Sequence, residues 1–229
     1  MGLNKVKGHM YPWVDYTWNC VKGACKHDCQ YCYMKVYKLR PARFDEFELR
    51  TDLGENNTIF VGSSNDMWCD EYPDEWILKV LDHCSKYDSN TYLFQSKNPA
   101  RFKKFYGQFP SNVIFGTTIE TNRHESVRGF SDAPDTLERY VVMAELSEDS
   151  FSVAGLHRTM VSIEPLMDFD LGELVDWIVD IDPAFVSIGA DSKGHKLPEP
   201  SKKKTEALIA ELREVTEVKV KKNLNRLLR

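Results

Sequence analysis

At 229 residues, 42% apolar and 12% aromatic, the chain can bury one sizeable core, and it reads as a single domain over 1–229. No run approaches the roughly 18–20 apolar residues of a membrane span. The stretch from Met1 to Tyr16 has no apolar segment of the signal-peptide kind and no Ser or Thr at the sixth place of a myristoylation signal. The expected compartment is therefore the cytoplasm, with no membrane partner. The formal charge of -5 is unevenly spread, with nine Lys/Arg against five Asp/Glu in residues 1–50, ten against five in 196–229, and 11 against 25 between. That excludes a global basic surface for nucleic acid and leaves only local ones.

In chain order, Tyr16–Asn19 is the natural first strand and leads into a loop carrying Cys20, Cys25, Cys29 and Cys32. Thr58–Val61 is the second strand. A helix opens at Pro73-Asp74-Glu75, where first-turn proline and acids are favourable, and shows Trp76, Ile77, Val80, Leu81 and Cys84 on one face. Thr91–Phe94 is a third strand, followed by a weaker helical segment at 98–106. Val113–Phe115 is a fourth, then a helical segment at 134–146. Thr159–Ile163 precedes the apolar stripe Leu171, Leu174, Val175 and Ile178. Phe185–Ile188 precedes the stripe Leu208, Ile209, Leu212 and Val215, and Val218–Val220 comes last.

Strands alternating with helices predict βαβ units on a parallel sheet. Six such units with a candidate seventh strand, in a chain short of the roughly 250 residues of an eight-fold barrel, predict a partial (β/α)6-type barrel. Chemistry on such sheets sits at the carboxyl ends of the strands. There the sequence places Gly62-Ser63-Ser64-Asn65-Asp66, Gln95-Ser96-Lys97, Gly116-Thr117-Thr118-Ile119-Glu120, Ser162 with Glu164, and Gly189-Ala190-Asp191. Caps and turns use the same residue types, so each alone has a structural reading as well.

Cytoplasmic thiols stay reduced, so three cysteines within eight residues point to metal or catalysis rather than disulfides. Structural zinc would need Cys20 or His27 as a fourth ligand beside Cys25, Cys29 and Cys32. An iron–sulfur cluster held by only three thiolates would leave one iron open to another molecule. Cys20, Cys69 and Cys84 have no comparable spacing and read first as small buried hydrophobes. His27 and Asp28 read as solvent-facing or backbone-capping residues.

The spacing Cys25-x-x-x-Cys29-x-x-Cys32, with Tyr31 before the third cysteine and the motif after a first strand, resembles the signature of the radical S-adenosylmethionine (SAM) superfamily. The run Tyr16 to Met34, with FVGSSND, FQSKNPARF and SIEPL, is similar to a phage-associated branch of it, distantly like spore photoproduct lyase. The resemblance implies a radical SAM barrel holding a [4Fe-4S] cluster on Cys25, Cys29 and Cys32, SAM bound at the open iron, and reductive cleavage of SAM that starts hydrogen abstraction. It further implies a low-potential electron donor such as flavodoxin or ferredoxin. Tyr31 would lie against the adenine. Ser63 and Ser64 stand where the superfamily often has Gly-Gly-Glu, Thr117, Thr118 and Glu120 would meet the ribose or methionine end, and Ser162 and Glu164 would line the neighbouring strand. By analogy with spore photoproduct lyase, Cys69 is the candidate hydrogen donor. The implied substrate is a nucleic-acid base or nucleotide, with a small metabolite such as a deazaguanine precursor as the alternative and a non-catalytic zinc or iron–sulfur module as the reading from another class.

Overall fold

The computed structural model describes residues 2–7, 10–148 and 158–229, so the N-terminal signal reading falls partly outside the described residues. Eight strands form one sheet: β1 (Asn4–Lys5), β2 (Tyr16–Trp18), β5 (Thr58–Val61), β6 (Thr91–Ser96), β7 (Val113–Thr118), β8 (Arg158–Ile163), β9 (Phe185–Ile188) and β10 (Glu217–Val220), in the order β1-β2-β5-β6-β7-β8-β9-β10. Only β1 is antiparallel, to β2. From β2 to β10 every neighbouring pair is parallel. The sheet is not closed. A separate two-stranded ribbon pairs β3 (Val21–Lys22) with β4 (Arg43–Phe44).

The crossovers are α1 (Asp74–Ser85), a 3-10 helix at Pro99–Phe105, α2 (Thr136–Glu148), α3 (Leu171–Ile181) and α4 (Lys202–Val215). The expected elements are present, with β10 as the seventh parallel strand. The segment at 98–106 forms a 3-10 helix beginning at Pro99 rather than an α-helix. α3 stops where Asp182 takes a left-handed conformation (φ 45°) and returns its N–H to Ile178 and Val179, the usual way a helix satisfies its last carbonyls.

Successive side chains of a strand point to opposite faces, and here both faces are buried. Ile59, Val61, Tyr92, Phe94, Val113, Phe115, Val161, Ile163, Val186 and Ile188 pack outward with the helices in the main core. Phe60, Leu93, Ile114, Met160 and Phe185 point inward and pack with Tyr11 and Val14. Tyr11 stacks on Trp13, which meets Phe185 edge-on. The segment before β2 thus fills the floor of the barrel, and the inward positions beyond that apolar floor are the ones open to chemistry.

Candidate metal centre and cofactor cavity

The cysteine loop follows β2 and is built from consecutive tight turns: Asp28 N–H donates to Cys25 O at 3.4 Å, Cys32 N–H to Cys29 O at 3.1 Å and Lys35 N–H to Cys32 O at 3.0 Å. Asp28 takes φ 39° within it. His27 is not solvent-facing. It is 6% exposed, and its Nε2 lies 3.0 Å from Asp66 Oδ2. Asp66 also accepts from Ser96 Oγ (3.0 Å), Lys97 N–H (2.8 Å) and Trp68 N–H (3.1 Å). Burial opposes both charges, yet the pairing prevails, raising the His27 pKa and lowering that of Asp66. One carboxylate therefore ties the cysteine loop to the ends of β5 and β6, and a buried, paired charge of this kind is a lock on geometry.

A second anchor is Glu120, fully buried after β7. It accepts from Arg139 Nη1 at 2.8 Å, from Tyr31 Oη at 2.5 Å and from Lys97 Nζ. Burial would raise its pKa, but Arg139 and Lys97 hold it down at about 2. Lys97 Nζ also sits 4.9 Å from the centre of the Tyr31 ring, a cation–π arrangement that fixes the ring.

The thiols fit soft-metal ligation in their chemistry. Cys25 Sγ lies 3.9 Å from Cys69 Sγ. Chiefly through that hydrogen bond, the Cys25 pKa is pulled down to about 7 while Cys69 is driven up and keeps its proton. Burial first, and then the charges of Cys29 and Cys25, push the Cys32 thiol up. Thiolates are soft ligands, and a cationic metal core would favour their deprotonated form. Their rotamers do not converge: Cys29 Sγ is 3.1 Å from Ser131 Oγ, and no group of three or more His, Cys, Asp or Glu among the described residues is arranged to hold a metal ion. Side-chain rotation on an existing loop is what ligation would require. Cys20 is buried in the main core near β3, and the His27 ring is committed to Asp66, so neither serves as a fourth ligand in this arrangement. Cys84 is fully buried on α1.

The remaining expected contacts divide. Thr118 and Ser162 share the inward face. The Tyr11 hydroxyl lies 2.9 Å from both Gln95 Oε1 and Ser162 Oγ. Because an amide oxygen only accepts, Tyr11 donates to Gln95 and receives the Ser162 proton. Gln95 Nε2 donates in turn to Thr118 Oγ1 at 3.1 Å. Glu164 accepts from Lys221 Nζ at 2.6 Å and Asn223 Nδ2 at 2.8 Å, and Lys221 Nζ sits 4.8 Å above the Tyr11 ring. Thr117 is a correction. It shares the outward register of Val113 and Phe115, and its hydroxyl donates to Ser96 O at 2.8 Å, so it faces the helices. Glu120, just past the end of β7, has its carboxylate spent on the anchor, with both oxygens engaged. Ser63 is likewise engaged, its hydroxyl 3.3 Å from Asn19 Oδ1 and its carbonyl accepting from Tyr33 Oη at 2.6 Å. Ser64 gives its N–H to Asn19 Oδ1 at 2.8 Å. Lys221 and Asn223 follow β10 and were legible only as polar residues after a strand. Tyr11 carried no periodic signal at all.

Among the described residues, seven parallel strands form an open partial barrel with a three-cysteine loop after the first, a fold of the radical SAM partial-barrel type. Solved structures of similar fold agree. A single-residue variant of spore photoproduct lyase superposes with a TM-score of 0.64 at 11% identity, covering 93% of this chain and 78% of that one. Spore photoproduct lyase complexed with dinucleoside spore photoproduct gives 0.57 at 12%, covering 91% and 64%. Streptococcus suis SuiB bound to S-adenosylmethionine gives 0.57 at 10%, covering 89% of this chain, which spans about half (49%) of SuiB. No curated protein matches. The chain belongs to the family described as "Protein of unknown function (DUF5131)", whose model matches residues 9–180.

Proposed function

We propose that residues 1–229 form a single radical SAM domain, an enzyme in which Cys25, Cys29 and Cys32 hold a [4Fe-4S] cluster and SAM binds beside it. When bound, that pair supplies reductive cleavage of the sulfonium and a 5'-deoxyadenosyl radical for hydrogen abstraction. The observation that carries the reading is the cysteine loop itself: three thiols on consecutive turns at the carboxyl end of the first barrel strand, with Tyr31 between the second and third turned inward onto Glu120.

The chain's own residues have these roles. Asp66 with His27, and Glu120 with Arg139 and Lys97, hold the loop in place on both sides. Tyr31, its hydroxyl fixed, offers a ring to the adenine. Thr118, Ser162, Glu164 and the Ser63–Ser64 turn line the space for the rest of SAM and the substrate, and the Tyr11 floor excludes water from below. Cys69 is the hydrogen-atom donor in this reading, supported by its Sγ lying 3.9 Å from that of Cys25. The substrate we propose is a nucleic-acid base or nucleotide. The supporting likeness is to spore photoproduct lyase, solved with a dinucleoside photoproduct, whereas SuiB, solved with its precursor peptide SuiA, represents the peptide alternative.

Incubation of anaerobically reconstituted protein with SAM and dithionite should release 5'-deoxyadenosine and methionine, and Cys29→Ala should release neither. Intact SAM in the presence of a fully assembled cluster would refute the proposal. Cys69→Ala should keep the cluster and SAM cleavage but alter the product profile with the true substrate. An unchanged profile returns Cys69 to a packing role beside Trp68.

A further inference from the structure

By spacing alone, the thiols of this chain most suited to form a disulfide with one another are Cys29 and Cys32, a C-x-x-C within the loop. The structure brings a different two together. Cys25 Sγ lies 3.9 Å from Cys69 Sγ, 44 residues on in the sequence, whereas Cys29 Sγ meets Ser131 Oγ at 3.1 Å.

The contact between Cys25 and Cys69 is bracketed by ties between their two segments. Asn65 Nδ2 donates to Gly23 O at 3.1 Å, Tyr72 Oη donates to Ala24 O at 3.3 Å, and His27 Nε2 lies 3.0 Å from Asp66 Oδ2. The backbone at Cys69 is itself held, its carbonyl accepting from Tyr72 N–H at 3.1 Å and from the Arg101 guanidinium. The fold therefore fixes which thiol faces which. Closing the gap to the roughly 2.05 Å of a disulfide asks for side-chain rotation and a small shift of the cysteine loop. The two sulfurs also differ in access: Cys25 is half-buried and open to a reagent in solution, while Cys69 is fully buried.

We propose that Cys25 and Cys69 form a redox-active thiol pair that a small disulfide oxidant such as glutathione disulfide closes to a disulfide, taking Cys25 out of the ligand set. Only that last consequence rests on the iron–sulfur reading above. Access sets the order of steps. The Cys25 thiolate attacks one sulfur of glutathione disulfide, and the glutathione that leaves takes up the proton Cys25 gave. Cys69 then loses its proton and attacks the Cys25 sulfur, and the second glutathione leaves carrying that proton. Two protein thiols give up two electrons, and one glutathione disulfide becomes two thiols. The bond reopens with a dithiol, so it holds both sulfurs short of irreversible oxidation.

The test uses the cluster-free full chain, reduced, freed of reductant under anaerobic conditions and exposed to glutathione disulfide, then blocked with N-ethylmaleimide in denaturant and mapped by mass spectrometry. Blockable thiols should fall by two from six, no glutathione should remain attached, and a peptide joining Cys25 to Cys69 should appear and then vanish with dithiothreitol. In Cys69→Ser the second step has no attacking sulfur, so glutathione should stay on Cys25. A Cys29–Cys32 link in place of Cys25–Cys69, or six blockable thiols after treatment, overturns the pair. On reconstitution the linked protein should take up at least about tenfold less iron than the reduced one and recover with dithiothreitol. Equal iron uptake by linked and reduced protein overturns the removal of Cys25 from the ligand set. If the link forms and the reduced protein itself takes up no iron, the thiol pair stands and the cluster reading falls.

Discussion

Glu120 shows how a residue can stand at the right place for a reason the sequence does not display. As a carboxylate at the end of a barrel strand it reads as a ligand contact. In the structure its oxygens are consumed by Arg139, Lys97 and Tyr31. Removing one member of a buried, paired charge leaves the others uncompensated, which costs about 3–5 kcal/mol. Glu120→Gln should therefore lower stability by about that much in urea unfolding of the cluster-free protein. A loss under about 1 kcal/mol would show that the anchor is not formed. Because the carboxyl is held at about 2, below its unfolded value of 4.5, its contribution is fully present above the unfolded value. The wild-type advantage over Glu120→Gln should stay level from neutral pH down to that point and shrink as pH falls toward about 2. Gly189 makes a second test at this scale. A Cβ there would lie 2.6 Å from Glu164 Cδ and Oε1, so Gly189→Ala should displace Glu164 from Lys221 and weaken SAM binding in equilibrium dialysis. Unaltered SAM affinity would remove Glu164 from the cavity wall.

At the scale of elements, the strands and helices were legible because apolar residues recur with period 2 or about 3.6 and their ends carry proline, acids or caps. Ser201 is such a cap, accepting from Lys204 N–H at 3.3 Å. Ser201→Ala should cost about 0.5–1 kcal/mol in the same unfolding assay, and no measurable change would mean that α4 frays without the cap being missed. The β3–β4 ribbon was not legible. Two residues pair with two across a 20-residue gap, too few to show any period, and the pairing is held by tertiary contacts such as Lys22 Nζ with Asp45 (2.8 Å) and Glu48 (2.6 Å). The difference between Thr117 and Thr118 is also one of register. Adjacent residues of a strand face opposite ways, and which one faces the cavity depends on the sheet's curvature rather than on either residue. His27 was misjudged for a related reason, since its partner Asp66 is distant in sequence.

For the whole molecule, the parallel order from β2 to β10 gathers the loops after β2, β5, β6, β7, β8, β9 and β10 at one end of an open barrel, and the Tyr11–Trp13 segment packs on its inward apolar face. No helix among the described residues is long and apolar enough to cross a membrane. That architecture, and the cysteine spacing within it, were readable from the alternation of elements. The pairing network that holds the cysteine loop was not, because His27 pairs with Asp66 and Lys97 with Glu120 across different crossovers, and Arg139 reaches Glu120 from a helix beyond the end of β7. The central claim is that this loop holds iron and sulfide on three thiolates. Metal and sulfide analysis of anaerobically reconstituted protein, with electron paramagnetic resonance of the reduced form, tests it most directly. The account predicts about four irons and four sulfides per chain and a reduced-cluster signal that SAM perturbs, all lost in Cys25→Ala, Cys29→Ala or Cys32→Ala and retained in Cys84→Ala. Tight zinc with never more than about one iron per chain would contradict it.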